Sequence, residues 1–196
     1  MPSSAPVHLV VGLGNPGSKY AGNRHNVGFL VIDHLAQRWA VPASREKFKS
    51  HFARATFDGH DVVLQKPETF MNRSGEAVQP AAAFFKVEPR HVLVIHDELD
   101  IPAGDLRIKV GGGIAGHNGL RSIVASLGTP DFVRLRVGIG RPPVGDVHHW
   151  VLGDFSAEER IDLVDRLDRA ADAVEACLTL GPTQAMQRIH TKSSKT

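Results

Sequence analysis

Apolar positions along the chain follow two rhythms. Residues 7–13 and 91–96 are short runs rich in Val, Ile and Leu, bounded by Gly, Pro or acidic residues, and read as buried strands. In 106–110 and 133–139 apolar residues alternate with charged ones. This alternation puts Arg107 and Lys109 on one face of one strand, and Arg134 and Arg136 on one face of another. Segments 51–57 and 61–66 flank Asp58-Gly59 and predict a hairpin. Helical spacing begins at Val27, where Phe29, Leu30, Ile32, Leu35 and Ala36 predict a helix to about Trp39, ended by Val41-Pro42. A second helix, capped by Asn72 or Ser74, runs to about Lys86, and a third runs from about Asn118 to Leu127. Ser156 to Glu159 has the capping-box pattern. Ile161, Val164, Leu167, Ala171, Val174 and Leu178 then mark one face of a long helix, and Gly181-Pro182 stops it and opens a short last one. Residues 43–50, with Arg45, Lys47 and Lys49, read as an exposed basic loop, and 147–152 as a short helical or irregular lid.

Strands and helices alternate without a repeat or a linker. The expectation is a single three-layer α/β domain, a mixed β-sheet flanked by helices, over residues 1–190, with 191–196 a flexible tail. A chain of 196 residues is long enough for the core this needs. The formal charge of +2 means that any contact with nucleic acid must come from a local cluster. The single cysteine, Cys177, excludes an intrachain disulfide, argues against a cysteine-built metal site, and lies among apolar helical positions. No apolar run approaches the roughly 20 residues of a membrane helix. The first run lacks a basic leader, so a cytoplasmic protein is expected.

The candidate chemistry starts at Asn23-Arg24-His25-Asn26-Val27-Gly28, which sets a histidine at a strand-to-helix crossing. Histidine takes and gives a proton near neutral pH, so His25 is either a general base or an ordinary surface histidine, one of 11 in the chain. His96-Asp97-Glu98 lies at the end of a buried strand, where a carboxylate could accept the Nδ1 proton of His25 and fix its tautomer. Gly12-Leu13-Gly14-Asn15-Pro16-Gly17 matches the dinucleotide fingerprint only weakly, because Pro16 lacks an amide and the helix starts about ten residues late. The turn is better used to hold the Asn15 side chain at a strand end. Gly111 to Gly116 is not a P-loop; it is either a plain turn or a loop whose backbone approaches a ligand. A serine-nucleophile elbow and a His-Glu-x-x-His zinc motif are both missing from the sequence.

Five ordered motifs then carry a resemblance. They are residues 12–17 with Tyr20, 24–28, Thr69 to Gly75, His96 to Asp100, and Gly116 to Leu120. Together they resemble the bacterial peptidyl-tRNA hydrolase family from about Val7 to His190. The resemblance implies an esterase that cleaves the bond between a peptide, or an N-blocked amino acid, and the 3′ ribose of tRNA. It implies no cofactor and no metal, a cytoplasmic monomer, and peptidyl-tRNA as the partner. By resemblance His25 is the general base and Asp97 its orienting partner. Asn15, Asn72 and Asn118 line the peptide and ester end, and Tyr20 and Phe70 contact the tRNA end. Lys109 and Arg136 hold the tRNA 5′-phosphate. Two stretches depart from the family pattern: Ile114-Ala115 in the glycine-rich loop, expected to stiffen or shield the groove, and His148-His149-Trp150 before Val151. The rival readings are a non-catalytic RNA-binding module on the same fold and, from the glycine pattern alone, a nucleotide-dependent enzyme.

Overall fold

The computed structural model describes residues 4–192, with side chains to residue 190. The strands are β1 (His8–Gly12), β2 (Arg45–Lys47), β3 (Ser50–Phe57), β4 (His60–Pro67), β5 (Val92–Glu98), β6 (Leu106–Val110) and β7 (Val133–Gly138). They form one seven-stranded sheet in the order β2-β3-β4-β1-β5-β7-β6. The four central strands are parallel, and β2, β3 and β6 are added antiparallel at the edges. The sheet is therefore mixed, as the alternation of elements predicted.

The helices are α1 (Val27–Arg38), α2 (Gly75–Phe84), α3 (Asn118–Leu127), α4 (Val147–Val151), α5 (Ala157–Ile161), α6 (Leu163–Leu180) and α7 (Pro182–Lys192). Period-two alternation sends Val10, Val62, Leu93 and Leu135 to one face, where they pack with Val31 and Leu35 of α1 and Val174 of α6. Leu9, Val11, Val63 and Val94 point the other way, against Val78 of α2 and Ile123 of α3. Two apolar clusters on opposite faces make the three layers. Each fully buried Leu, Ile or Val contributes about 1.5–3 kcal/mol to folding.

Four local expectations are corrected. Residues 45–47 of the expected basic loop pair with β3 as an edge strand. The turn between them is made by Phe48 and Lys49, at φ 55° and 48°. This double left-handed turn is normally signalled by Asn-Gly, and its absence hid the hairpin. Neither Asn72 nor Ser74 caps α2 with its side chain. Instead Ser122 of α3 accepts from Gly75 N at 2.9 Å. The long C-terminal helix is broken at Asp162, so Ile161 and Val164 are exposed rather than part of the buried face. Arg134 is not an open charge on the strand face it shares with Arg136: it is buried and holds Gly112 O, Gly113 O and Pro130 O at 3.1, 2.6 and 3.0 Å. The expected tail lies, beyond Lys192, outside the described residues. Cys177 is in the core, and burial pushes its thiol up to about 12.

Candidate active site

The central parallel strands end together, and there β1 lies beside β4, with α1 after β1 packed on one face of the sheet and α2 after β4 on the other. Crevices at such points are where open α/β sheets bind ligands. The close approach of α1 to β1 depends on two glycines. A Cβ on Gly12 would sit 2.1 Å from Gly28 O, and one on Gly28 would sit 2.4 Å from Leu13 N. With neither side chain present, the single 3-10 turn Arg24–Asn26 seats over the end of β5. Asn26 locks the neighbouring turn: its Oδ1 accepts from Asn15 N and its Nδ2 donates to Asn15 O, both at 2.9 Å.

His25 Nδ1 lies 2.9 Å from both carboxylate oxygens of Asp97. His117 Nε2 lies 2.9 Å from Asp97 Oδ1. The tautomers follow from the partners. His117 Nδ1 accepts from Gly119 N and Leu120 N at 3.1 and 3.3 Å and caps α3, so its proton is on Nε2 and is donated to Asp97. Asp97 likewise takes the Nδ1 proton of His25, which leaves Nε2 of His25 as the basic nitrogen. Burial, the largest single effect on Asp97, would raise its pKa. The facing His25 and the hydrogen bonds from both imidazoles outweigh it and hold the carboxyl well below the usual range. Behind this group His96 donates from Nδ1 to Asp97 O at 2.8 Å, and burial pushes its pKa down to about 3, so it stays neutral.

The ligating atoms of His25, Asp97 and His117 lie within 4.8 Å of one another. Their proton arrangement does not suit a cation. A metal on His117 Nε2 would force the ring proton onto Nδ1, against the two backbone N–H groups that already point there. The three groups form a hydrogen-bonded relay instead.

A cleft of about 430 Å³ opens above them. It brings together seven of the nine sequence-predicted residues: Asn15, Tyr20, His25, Phe70, Asn72, Asp97 and Asn118. Asn15 is buried, with Oδ1 accepting from Met71 N at 2.8 Å, so only its Nδ2 donor is left for a ligand. Asn72, relieved of capping, is exposed in the turn Met71–Arg73. Phe70 is 56% exposed, an unusual state for a phenylalanine and one suited to stacking. Lys109 and Arg136 do not line this cleft. They share a neighbouring recess of about 20 Å³ with His96, Glu98 and Arg134. Because β6 and β7 pair antiparallel, with Lys109 opposite Arg134 and Arg107 opposite Arg136, all four side chains are on one face of the sheet. Glu98 belongs to both cavities, and its Oε2 lies 3.3 Å from Arg136 Nε.

Sequence reasoning gave His117 and Glu98 no role of their own, whereas the segment 147–152, expected as a short helical or irregular lid, supplies Val147, Val151 and Leu152 to the cleft wall. His117 was legible in principle: it stands immediately before the predicted start of α3, where a side chain that caps leaves one ring nitrogen to spare. Of the two departures, Ile114 packs against the α2–α3 core cluster, and Ala115 lines the cleft in a left-handed conformation at φ 49°. His148 lines the cleft, whereas His149 faces solvent.

A mixed sheet with such a cleft at its strand ends defines an enzyme of the α/β class. A family model described as peptidyl-tRNA hydrolase matches residues 9–196. The chain is 52% identical to the peptidyl-tRNA hydrolase of Sorangium cellulosum, over 94% of this chain and 84% of that one. It is 49% identical to that of Frankia alni, over 93% of each. The solved peptidyl-tRNA hydrolase of Acinetobacter baumannii superposes with a TM-score of 0.88 at 41% identity, covering 95% of this chain and 97% of that one. The chain belongs to the bacterial peptidyl-tRNA hydrolase family and is a hydrolase of that type. Among the described residues no helix is long and apolar enough to cross a membrane.

Proposed function

We propose that this chain hydrolyses the ester between a peptide, or an N-blocked amino acid, and the 3′ ribose of tRNA, with His25 as general base. The observation that carries this reading is the His25 Nδ1 contact, 2.9 Å to both oxygens of a buried, ionised Asp97, inside the cleft. His25 Nε2 takes a proton from water as the water oxygen attacks the ester carbonyl. Asp97 stabilises the imidazolium, which then returns the proton to the departing 3′ oxygen. The Asn72 amide holds the water or the developing oxyanion, an effect worth about 3 kcal/mol when preorganised. Asn15 offers a donor to a substrate carbonyl, and Asn118 offers an amide that reads peptide backbone rather than side chains.

Phe70 and Tyr20 receive the 3′ end of the tRNA, with Phe70 as a stacking surface. Lys109 and Arg136 hold the 5′-phosphate from the sheet face they share, outside their small recess, through charge-assisted hydrogen bonds. No cofactor or metal takes part in this scheme, and the protein acts as a cytoplasmic monomer. The decisive experiment is release of N-acetyl-amino acid from N-acetyl-aminoacyl-tRNA by the purified protein in the presence of a chelator. Turnover lost in the His25→Ala variant supports the reading. Tight tRNA binding without any release would favour the RNA-binding module.

A further inference from the structure

The helix α4, whose Val147 and Val151 line the cleft, meets the core only through Trp150 and Val151, both partly buried. It has five residues and buries none of them. So short a helix does not persist by itself, because nucleation is unfavourable. Beyond that contact it is held by a buried cation beside the proposed base. Arg24 is only 6% exposed. Its guanidinium spans both oxygens of Glu159, Nη2 to Oε1 at 2.6 Å and Nε to Oε2 at 3.2 Å. Nη1 donates to Trp150 O at 3.2 Å, and the guanidinium carbon lies 3.6 Å from the Trp150 ring centroid. The indole is fixed from its other side by Nε1 donating to Gly140 O at 2.9 Å. Backbone contacts follow the same seam: Arg24 N to Gly153 O at 3.0 Å and Phe155 N to Gly22 O at 3.2 Å.

We propose that Arg24 is a positioning residue that clamps the α4 wall of the cleft to the turn carrying His25, through Trp150 and Glu159, and so sets affinity for the acyl end of the substrate. This rests on the cleft being the hydrolase site. Lysine could not replace Arg24, because an ammonium is a point charge that neither forks across a carboxylate nor stacks on an indole. Glu159 serves twice, since its Oε1 also accepts from Ser156 N at 3.0 Å to complete the capping box of α5. The clamp thus ties α4, α5 and the base-bearing turn into one unit.

The experiment has two arms. In steady-state hydrolysis of N-acetyl-aminoacyl-tRNA, Arg24→Lys raises KM about tenfold and keeps kcat within about threefold. Glu159→Gln, remote in sequence from His25, shifts KM in the same direction, and the double variant is no worse than Arg24→Lys alone. In the second arm, Trp39→Phe leaves Trp150 as the only tryptophan, and acrylamide quenching of Trp150 rises about twofold when Arg24→Lys is added. Glu159→Gln keeps both arms open if the Arg24 variant does not fold. A fall in kcat at constant KM would overturn the proposal, because Arg24 would then act on His25 itself. Unchanged quenching together with unchanged KM would also overturn it. A parent protein without hydrolase activity would refute the proposed function, while the quenching arm still decides whether the clamp exists.

Discussion

His117 and Asp97 are joined by a 2.9 Å contact from Nε2 to Oδ1, while the other nitrogen of the same ring caps α3. One side chain therefore couples a helix start to the carboxylate that His25 also contacts. His117→Asn keeps a good capping residue and removes the donor to Asp97. Stability should fall by about 1–3 kcal/mol, because the buried Asp97 carboxylate loses a donor while the cap itself is kept. The kcat should fall about tenfold with KM nearly constant, as for a group felt mainly in the transition state. Steady-state kinetics beside a urea melt separates the two effects, and unchanged kcat would leave His117 with a capping role only.

His25→Ala should lower kcat by about two to four orders of magnitude while tRNA binding persists. Asp97→Asn should lower it less, since the imidazole remains. The amide carries an NH₂ where the carboxylate accepted from two imidazoles, and the mispaired group should also cost about 1–3 kcal/mol of stability. Activity of His25→Ala within tenfold of the parent would remove His25 from the base role.

Lys109→Ala and Arg136→Ala should raise KM on full-length tRNA and flatten its salt dependence, since each phosphate neutralised contributes to the slope. They should leave a minimal 3′-end ester lacking the 5′-phosphate almost unaffected, because neither residue lines the catalytic cleft. The measurement is KM on both substrates at two salt concentrations. Equal losses on both would mean that these residues support the fold or the cleft. Arg134→Ala, by contrast, should be destabilising on any substrate, because it removes the buried donor that holds the glycine-rich loop.

His96 makes stability depend on pH. Above about 6.5 the ring is neutral in both folded and unfolded chains and contributes nothing. Below that value the unfolded chain binds a proton that the folded one refuses until about pH 3, because burial holds the folded pKa there. Stability therefore falls as pH falls through this window, by about 2 kcal/mol at pH 5 from His96 alone. His8, pushed down to about 4 mainly by burial, adds a smaller effect of the same sign. Urea melts of His96→Asn between pH 7 and 5 should show a visibly flatter pH dependence than the parent. An equal slope would mean that His96 is solvated and titrates normally.

Elements with strong local signals were legible in the chain. Alternation set the faces of β6 and β7, helical spacing found α1 and α3, and Asp58-Gly59 marked the β3–β4 hairpin. Seven residues that meet in one cleft were named through the family resemblance of the motifs, not through local pattern, since they run from Asn15 to Asn118 along the chain. Where a contact joins residues far apart in the chain, local pattern carries no information about it. Ser122 took over the capping that Asn72 or Ser74 was expected to provide, 47 positions from Gly75. Arg134 and Arg136 share a strand face and a chemistry, yet the glycine-rich loop folds over the first and leaves the second half-buried beside Glu98. His117 reaches Asp97 across 20 residues, and Arg24 reaches Glu159 across 135. Hydrophobic periodicity determines which face of an element is buried. Which polar groups then meet depends on how strands order in the sheet and how closely helices approach it, and Gly12 and Gly28 govern that approach here by steric contact rather than by sequence rhythm.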